Sequence, residues 1–176
     1  MLKDGSLQIK PNFSRKDIRP VGIRIHLNKQ ILIPEDGQVV EIGIPAEIKY
    51  QKIDISKKVF FLEPDQFVLG LTYESIKTPS NVVALLDGRS TIARLGITTH
   101  ITASISDGTF EKAHPTVLEI KNVGNFRVRL KYKDPIAMMV FAELKHPVSQ
   151  KIQSQYKGAR NSKIAPNLRF RTGQDR

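Results

Sequence analysis

The segment 87–91, Asp-Gly-Arg-Ser-Thr, combines residue types that bind phosphate groups. The guanidinium of Arg89, the hydroxyls of Ser90 and Thr91 and the backbone amides at a helix start can converge on one anion. Arg94 follows Ser90 by four positions, so it falls on the same helical face. The pattern also fits an arginine that is only a surface charge, so by itself it indicates an anion site without identifying one.

A single carboxylate interrupts an apolar strand pattern farther along the chain. Glu119 lies between Leu118 and Ile120, and in a two-faced strand its side chain shares a face with Val117 and Lys121. One interpretation is an exposed glutamate paired with a lysine. The other is a general acid–base group, which at neutral pH requires a carboxylate in a pocket with a raised proton affinity.

The elements that must position these groups are short β-strands. Alternating or β-branched residues mark each run, and turn formers such as the Pro-Glu-Asp-Gly of residues 34–37 separate them. Many short strands at this spacing are typical of a sandwich or a barrel. The predicted strands are Leu7–Ile9, Gly22–Leu27, Gln30–Pro34, Val39–Ile42, Ile48–Ile53, Val59–Leu62, Gln66–Tyr73, Val82–Leu86, Thr98–Ile105, Thr116–Lys121, Phe126–Leu130 and Ile136–Leu144.

Helix is scarce, and the best candidate covers Ser90 to Leu95. Ser90 is predicted to cap the amides that follow, and Gly96 is predicted to end the helix. There is no internal repeat and no linker-like segment, which predicts a single domain over residues 1–176. Residues from about 145 to 176 are polar, basic and poor in strand formers, so we expect them to form a basic C-terminal arm.

The composition excludes several chemistries. The chain has no cysteine, so disulfides, thiolate metal ligands, iron–sulfur clusters and cysteine nucleophiles are ruled out, and its four histidines lack ligand spacing. No metal-binding residues and no zinc are expected. The chain has no apolar run of bilayer length and no signal-peptide pattern at its start, which predicts a soluble, cytoplasmic protein without a membrane partner.

The net charge of +11 favours a polyanionic partner such as a nucleotide or a nucleic acid. The charge is uneven, because residues 157–176 hold six basic side chains against one aspartate. This basic tail is either a solvated extension or a segment that closes over a phosphate chain.

The block LLDGRSTIARLGITTHITAS, with Asp107 and VLEIKNVG after it, strongly resembles the dCTP deaminase family of the dUTPase superfamily. The family pattern is a DGRSSLARLG-like motif, an Asp in the next hairpin and a catalytic Glu in a VLE-type strand. The flanking segments FVLGLTYESIKTPSNVVALL and IAMMVFAEL also match. The resemblance covers residues 58–145 well and the termini more faintly.

The resemblance implies a distorted, jelly-roll-like β-barrel of the dUTPase type, assembled as a homotrimer with sites between subunits. It implies that Arg89, Ser90 and Thr91 hold the triphosphate and that Arg94 crosses a subunit boundary toward the base. Magnesium would be bound through the triphosphate. The implied catalytic residues are Glu119, Arg94, Ser90 and Ala103, the last through its carbonyl. The implied substrate-binding residues are Arg89, Ser90, Thr91, Arg94, Asp107, Val117, Leu118, Glu119, Tyr156 and Lys157.

The sequence departs from the family pattern at several points. Arg24-Ile-His-Leu-Asn28 replaces an Asp-x-Arg-Leu-Gly motif, so a basic residue stands where the family has an acid. The hairpin 108–115 lacks a proline after Asp107 and is about two residues longer. Met138 replaces a glutamine, and the arm carries Ala159 where the family has a later glutamine.

Three functions follow as hypotheses. The first is zinc-independent hydrolysis of dCTP to dUTP and ammonia with Glu119 as general acid–base, with dTTP as an inhibitor. The second is dUTP hydrolysis to dUMP and pyrophosphate, alone or combined with deamination, in which Asp107 would position the water. The third is a non-catalytic β-domain that binds nucleic acid, which the scarcity of aromatics (7%) and the absence of tryptophan disfavour.

Overall fold

The computed structural model describes residues 5–11, 14–41, 47–106 and 112–149. These residues form thirteen strands, one turn of 3-10 helix at Arg15–Asp17 and one short α-helix, α1, at Ser90–Ala93. The strands are β1 (Gln8–Lys10), β2 (Ile18–Arg19), β3 (Gly22–His26), β4 (Gln30–Pro34), β5 (Tyr50–Asp54), β6 (Phe60–Leu62), β7 (Phe67–Lys77), β8 (Val82–Gly88), β9 (Ile97–Thr98), β10 (Ile105–Ser106), β11 (His114–Asn122), β12 (Val128–Leu130) and β13 (Pro135–Glu143).

The strands pair into two larger antiparallel sheets. One has the order β5-β4-β7-β11-β9, with β1 also paired to β7, and the other has the order β10-β8-β13-β3-β2. Strands β6 and β12 form a separate two-stranded ribbon. The prediction of a mainly β fold is confirmed, while the described strands form open sheets rather than one closed barrel. The homotrimer and the extent of the domain over residues 1–176 stay predictions.

Alternating side chains from both sheets fill one hydrophobic core. On β3, Ile23 and Ile25 point inward while Arg24 and His26 lie on the outer face. On β11, the fully buried Leu118 points inward. The outer face of β11 carries Val117, Glu119 and Lys121. This alternation places Glu119 on the outer face, as the sequence predicts.

Two strand predictions are wrong. Residues 98–105 do not form one strand, because pairing stops after Thr98 in β9 and resumes only at Ile105 in β10. The residues between them bond instead to β11 and β8, with Thr99 accepting from the Glu119 amide and Ser104 from the Leu86 amide. The described residues 39–41 of the predicted strand Val39–Ile42 are not in a strand either, and Ile42 lies outside the described residues.

The end of α1 is fixed by a close contact with the end of β11. Gly96 has φ +73°, a conformation that favours glycine, and a Cβ there would lie 2.6 Å from the amide nitrogen of Gly124. The carbonyl of Gly96 accepts from the Val123 amide at 2.7 Å. The prediction that Gly96 ends a helix over Ser90–Leu95 is wrong, because α1 ends at Ala93 with Arg94 as its C-cap, and Gly96 lies in the turn that follows.

Asn122 joins this contact to the β6–β12 ribbon. Its fully buried side-chain amide donates to the carbonyls of Leu62 (3.1 Å) and Phe126 (2.9 Å) and accepts from the Gly124 amide (2.9 Å). Three backbone groups would therefore lose their partner together if the amide were removed.

No helix in the described part of the chain is long and apolar enough to span a membrane.

We expect Asn122→Ala to lower the free energy of unfolding by about 2–4 kcal/mol, because it leaves buried polar groups unpaired. The exposed Asn125 offers a matched control, and Asn125→Ala should change the same quantity by less than about 0.5 kcal/mol. Urea unfolding followed by circular dichroism measures both. Equal stabilities of the two variants would contradict this role of Asn122.

Candidate active site

Glu119 holds the segment that follows β9. Its backbone amide donates to the carbonyl of Thr99 (3.2 Å), and its carboxylate oxygen Oε2 accepts from the amide of Ile101 (3.1 Å). The side chain is half-buried. It therefore does not form the exposed pair with Lys121 that the sequence also allowed, because Lys121 extends its ammonium to Asp65 at 3.4 Å. Glu119 is in this way oriented by the residues of the neighbouring loop.

Ala103 lies in that loop between two anchor points. The loop is attached to β11 at Thr99 and Ile101, and it returns to β8 where the Leu86 amide donates to Ser104 at 2.7 Å. Ala103 is exposed. Ala103 thus lies in the loop that the Glu119 carboxylate holds through the Ile101 amide, and its predicted catalytic role stays a prediction.

The Arg-Ser-Thr turn lies where β8 ends. Arg89 has an extended conformation, and its carbonyl accepts from the amides of Ile92 (2.9 Å) and Ala93 (2.8 Å). Ser90 is the first residue of α1, and the helix has no side-chain cap, so the prediction that Ser90 caps the helix is wrong. Its hydroxyl, like that of Thr91, is exposed rather than used by the helix, which leaves both hydroxyls on the outer surface.

The turn and the Glu119 loop meet at their bases. Thr99 Oγ1 lies 3.8 Å from the position that a Cβ on Gly88 would occupy, one residue before Arg89. His100 follows Thr99 in the loop, and its Nε2 atom lies 3.6 Å from Oδ1 of Asp87. Three buried polar atoms at the end of β9 and the start of this loop have no hydrogen-bond partner among the described residues: Thr98 Oγ1, Thr99 Oγ1 and His100 Nδ1. Polar groups thus concentrate between the turn and Glu119.

Three of the other predicted site residues lie in the described part of the chain, and three lie outside it. Val117 is 37% exposed beside Glu119, whereas the Leu118 side chain is fully buried, so Leu118 can reach a ligand only through its main chain. Arg94 is exposed directly after α1. Asp107, Tyr156 and Lys157 lie outside the described residues.

The sequence analysis missed a cluster that surrounds His26. The Nδ1 atom of His26 lies 2.6 Å from Oε1 of the buried Glu74, and Nε2 lies 3.7 Å from Oδ1 of the buried Asp17. The hydrogen bond to Glu74 raises the pKa of His26; burial and the charge of Arg89 oppose this, and the charge of Asp17 supports it. The signal was weak, because the three residues are far apart in sequence.

Arg89 is tied to the same region. Its guanidinium donates to the carbonyl of Pro135, the residue paired with His26 in the second sheet. Burial lowers the pKa of Arg89, and the charges of Arg24 and Arg19 lower it further. Alternation in the sequence could have placed Arg24 on the outer face of β3, but it could not have placed that face beside Arg89.

A groove of about 700 Å³ lies on another part of the surface and shares no lining residue with this site. Four carboxylates contribute to its wall. Their charge would repel a triphosphate, so the groove is a poor match to the predicted ligand. The lining residues are Ile33, Pro34, Glu35, Asp36, Gln51, Glu63, Asp65, Gln66 and Phe67.

Comparison with protein families agrees with the motif pattern. The sequence model of the family described as "dCTP deaminase-like" matches residues 1–144. A relative from Alteromonas mediterranea named dCTP deaminase is 31% identical over 172 residues, covering 89% of this chain and 86% of its own. A relative from Methanosphaera stadtmanae named "dCTP deaminase, dUMP-forming" is 32% identical over 151 residues, covering 83% of this chain and 76% of its own.

Solved structures support the fold. The dCTP deaminase of Agrobacterium tumefaciens superposes with a TM-score of 0.59 at 15% identity over 79% of this chain, which spans 44% of that longer chain. The native EIAV dUTPase superposes with a TM-score of 0.51 at 12% identity, covering 85% of this chain and 97% of its own. At these identities the likeness concerns the fold alone, and it confirms the predicted dUTPase type.

The His26 cluster predicts a pH dependence of stability. Because the folded state raises the pKa of His26 above about 6.5, the stabilisation is complete below that pH and is lost as pH rises through the folded value. We expect the free energy of unfolding to fall between pH 6 and pH 8.5, and His26→Gln to flatten this fall. Urea unfolding across that range measures it. His100→Gln is the control, and an unchanged slope in His26→Gln would contradict the assignment.

Proposed function

This chain belongs to the dCTP deaminase-like family, and we propose that it hydrolyses dCTP to dUTP and ammonia. The observation that carries the proposal is the orientation of Glu119. Its carboxylate is held by the Ile101 amide beside the exposed Ala103, and the loop that holds it meets the base of the Arg-Ser-Thr turn. An acid–base group, a carbonyl acceptor and an anion-binding turn are the parts that such a reaction needs.

The reaction balances with water as its only co-reactant. Water adds to C4 of the cytosine ring, its proton passes to Glu119, and Glu119 returns a proton to the ring nitrogen. Glu119 then takes the proton of the new C4 hydroxyl and gives it to the 4-amino group, so the C4–N bond breaks, ammonia departs and the C4 carbonyl of the uracil ring forms. Because Oε2 of Glu119 accepts from Ile101, Oε1 is the oxygen we assign to these transfers.

The other site residues are assigned to the water, to the developing charge, to the phosphates and to the sugar. We assign the carbonyl of Ala103 to the attacking water, and Arg94 with Ser90 to the charge that develops on the ring and on the water oxygen. Arg89, Ser90 and Thr91 would bind the triphosphate, with Mg²⁺ carried on its oxygens. Asp107 would accept from the sugar hydroxyl. We propose that Tyr156 and Lys157 of the arm complete the phosphate site.

We further propose that the site forms between subunits of a homotrimer, with Glu119 from one copy and Arg94 from the next. Deoxynucleoside triphosphates with dCTP preferred would be the ligands, dTTP an inhibitor, and the cytoplasm the place of action. The arm after residue 145 would close over the triphosphate. These assignments rest on the family pattern and on the exposure of Arg94 and Ser90.

A second function is favoured by one observation. The relative from Methanosphaera stadtmanae is named as dUMP-forming, so the same site could also split pyrophosphate from the nucleotide. Incubation with dUTP and Mg²⁺ followed by a pyrophosphate assay separates the two. A deaminase alone leaves dUTP intact, whereas a bifunctional enzyme releases one pyrophosphate for each dUMP formed.

We expect Glu119→Gln to lower ammonia release from dCTP by about 10²–10⁴-fold while nucleotide binding persists. The glutamine oxygen can still accept from the Ile101 amide, so the substitution removes the proton transfer and keeps the contact. Glu143→Gln, at the exposed end of β13, is the matched control with wild-type activity expected. Full activity of the Glu119→Gln variant would contradict the proposal.

Subunit complementation tests the shared site. Co-refolding equal amounts of Glu119→Gln and Arg94→Gln chains should restore about a quarter of wild-type activity, because one interface in four then combines two intact halves. Each variant refolded alone stays inactive. If the mixture is no more active than its parts while the oligomers exchange subunits, both residues belong to one chain's site and the assignment between subunits is wrong.

A further inference from the structure

Three arginines from separate segments converge on the outer face of the second sheet. Arg24 on β3 pairs with Met138 on β13, and Met138 pairs in turn with Asp87 on β8, two residues before Arg89. Arg19 on β2 pairs with Gly22, two residues before Arg24. We call Arg19, Arg24 and Arg89 the arginine cluster.

The guanidinium of Arg89 leans across this face. It donates to the carbonyl of Pro135 at the start of β13, and it is half-buried, as is Arg24, while Arg19 is exposed. Burial is the main cause that lowers the pKa of Arg89, and the charges of Arg24 and Arg19 lower it further, as like charges near one another do. Three like charges held together by β-pairing cost free energy unless an anion joins them.

The carboxylates of the region are committed elsewhere. Glu74 and Asp17 are the partners of His26, and Asp87 faces His100. Within the described ranges, no carboxylate oxygen lies within 4.0 Å of a guanidinium nitrogen of the cluster. Among the described residues the three arginines therefore have no carboxylate partner, and an external anion could neutralise their charge.

We propose that the arginine cluster is a subsite for the terminal phosphates of the nucleoside triphosphate, extending the Arg-Ser-Thr turn toward β3 and β2. The proposal deepens the proposed function and rests on it for the identity of the anion. Arg89 belongs to both the turn and the cluster, so one phosphate chain can run from Ser90 to Arg24. Arg24 stands where the family pattern has an aspartate, so this subsite is a feature of this chain and not of the shared motif.

The subsite has a consequence for specificity. A triphosphate reaches Arg24 and Arg19, whereas a monophosphate contacts only the turn. Removing the guanidinium of Arg24 or Arg19 should therefore weaken the binding of triphosphates and leave the binding of monophosphates unchanged. Because the contact lies on non-reacting phosphates, it should act on KM more than on kcat.

Calorimetry with inorganic tripolyphosphate and orthophosphate, on the full chain without nucleotide, tests the subsite. We expect Arg24→Gln and Arg19→Gln each to weaken tripolyphosphate binding about tenfold, the loss of one charged hydrogen bond, and to leave orthophosphate binding unchanged. Arg24→Lys should fall between wild type and Arg24→Gln, since a point charge replaces the planar fork. Arg129→Gln, exposed on β12, is the control with wild-type affinity.

The outcomes separate this proposal from the enzymatic one. Unchanged tripolyphosphate affinity in both Arg24→Gln and Arg19→Gln overturns the subsite even if the protein releases ammonia from dCTP. Weakened affinity supports the subsite even if no ammonia is released. If duplex DNA but not tripolyphosphate binds and the variants lose DNA binding, the cluster is a nucleic-acid contact and the proposal is wrong. Urea unfolding of Arg24→Gln confirms that the variant is folded.

Discussion

The candidate site depends on the attachment of one loop to one strand. Glu119 binds this loop twice, through its backbone amide to Thr99 and through its carboxylate to the Ile101 amide. The outward direction of Glu119 is set by β11, whose neighbouring residue Leu118 is fully buried. A rotation of the carboxylate away from Ile101 would break this side-chain hydrogen bond, and a shift of the loop would change the environment of the carboxylate. Position and chemistry of the proposed acid–base group are therefore set by the same two hydrogen bonds.

In the described part of the chain, the buried acids around His26 do not form ion pairs with the arginines of the second sheet. The buried Glu74 and Asp17 are both partnered with His26, whose pKa rises as a result. We propose an external anion as the partner of the nearby arginines. The charges of Glu74 and Asp17 favour the protonated form of His26, so both acids have a partner other than an arginine.

The sequence predicted what depends on local pattern. The alternation around Glu119 and the short helix that begins at Ser90 are visible in neighbouring residues, and the structure confirms both. A tight turn at Asp87-Gly88, which the sequence also suggests, is wrong, because both residues continue β8 and pair with β13. The family motif, the mainly β class and the dUTPase-type fold were predicted from the order and spacing of these segments.

The sequence could not predict what depends on distant pairing. Residues 98–105 have strand-forming composition, but their hydrogen bonds go to Glu119 and Leu86, so the strand breaks into two short pieces. The partnership of His26 with Glu74 spans 48 positions. The arginine cluster depends on β2, β3, β8 and β13 lying in one sheet. Nothing within any one segment specifies such neighbours.

The most direct test of the account is a crystal structure of the Glu119→Gln chain with dCTP and Mg²⁺ bound. We predict the cytosine C4 and its amino group within about 3–4 Å of the side chain at position 119, with the Arg-Ser-Thr turn of a neighbouring copy on the phosphates. A nucleotide bound at another surface, with the side chain at position 119 directed into bulk solvent in the assembled oligomer, would contradict the account.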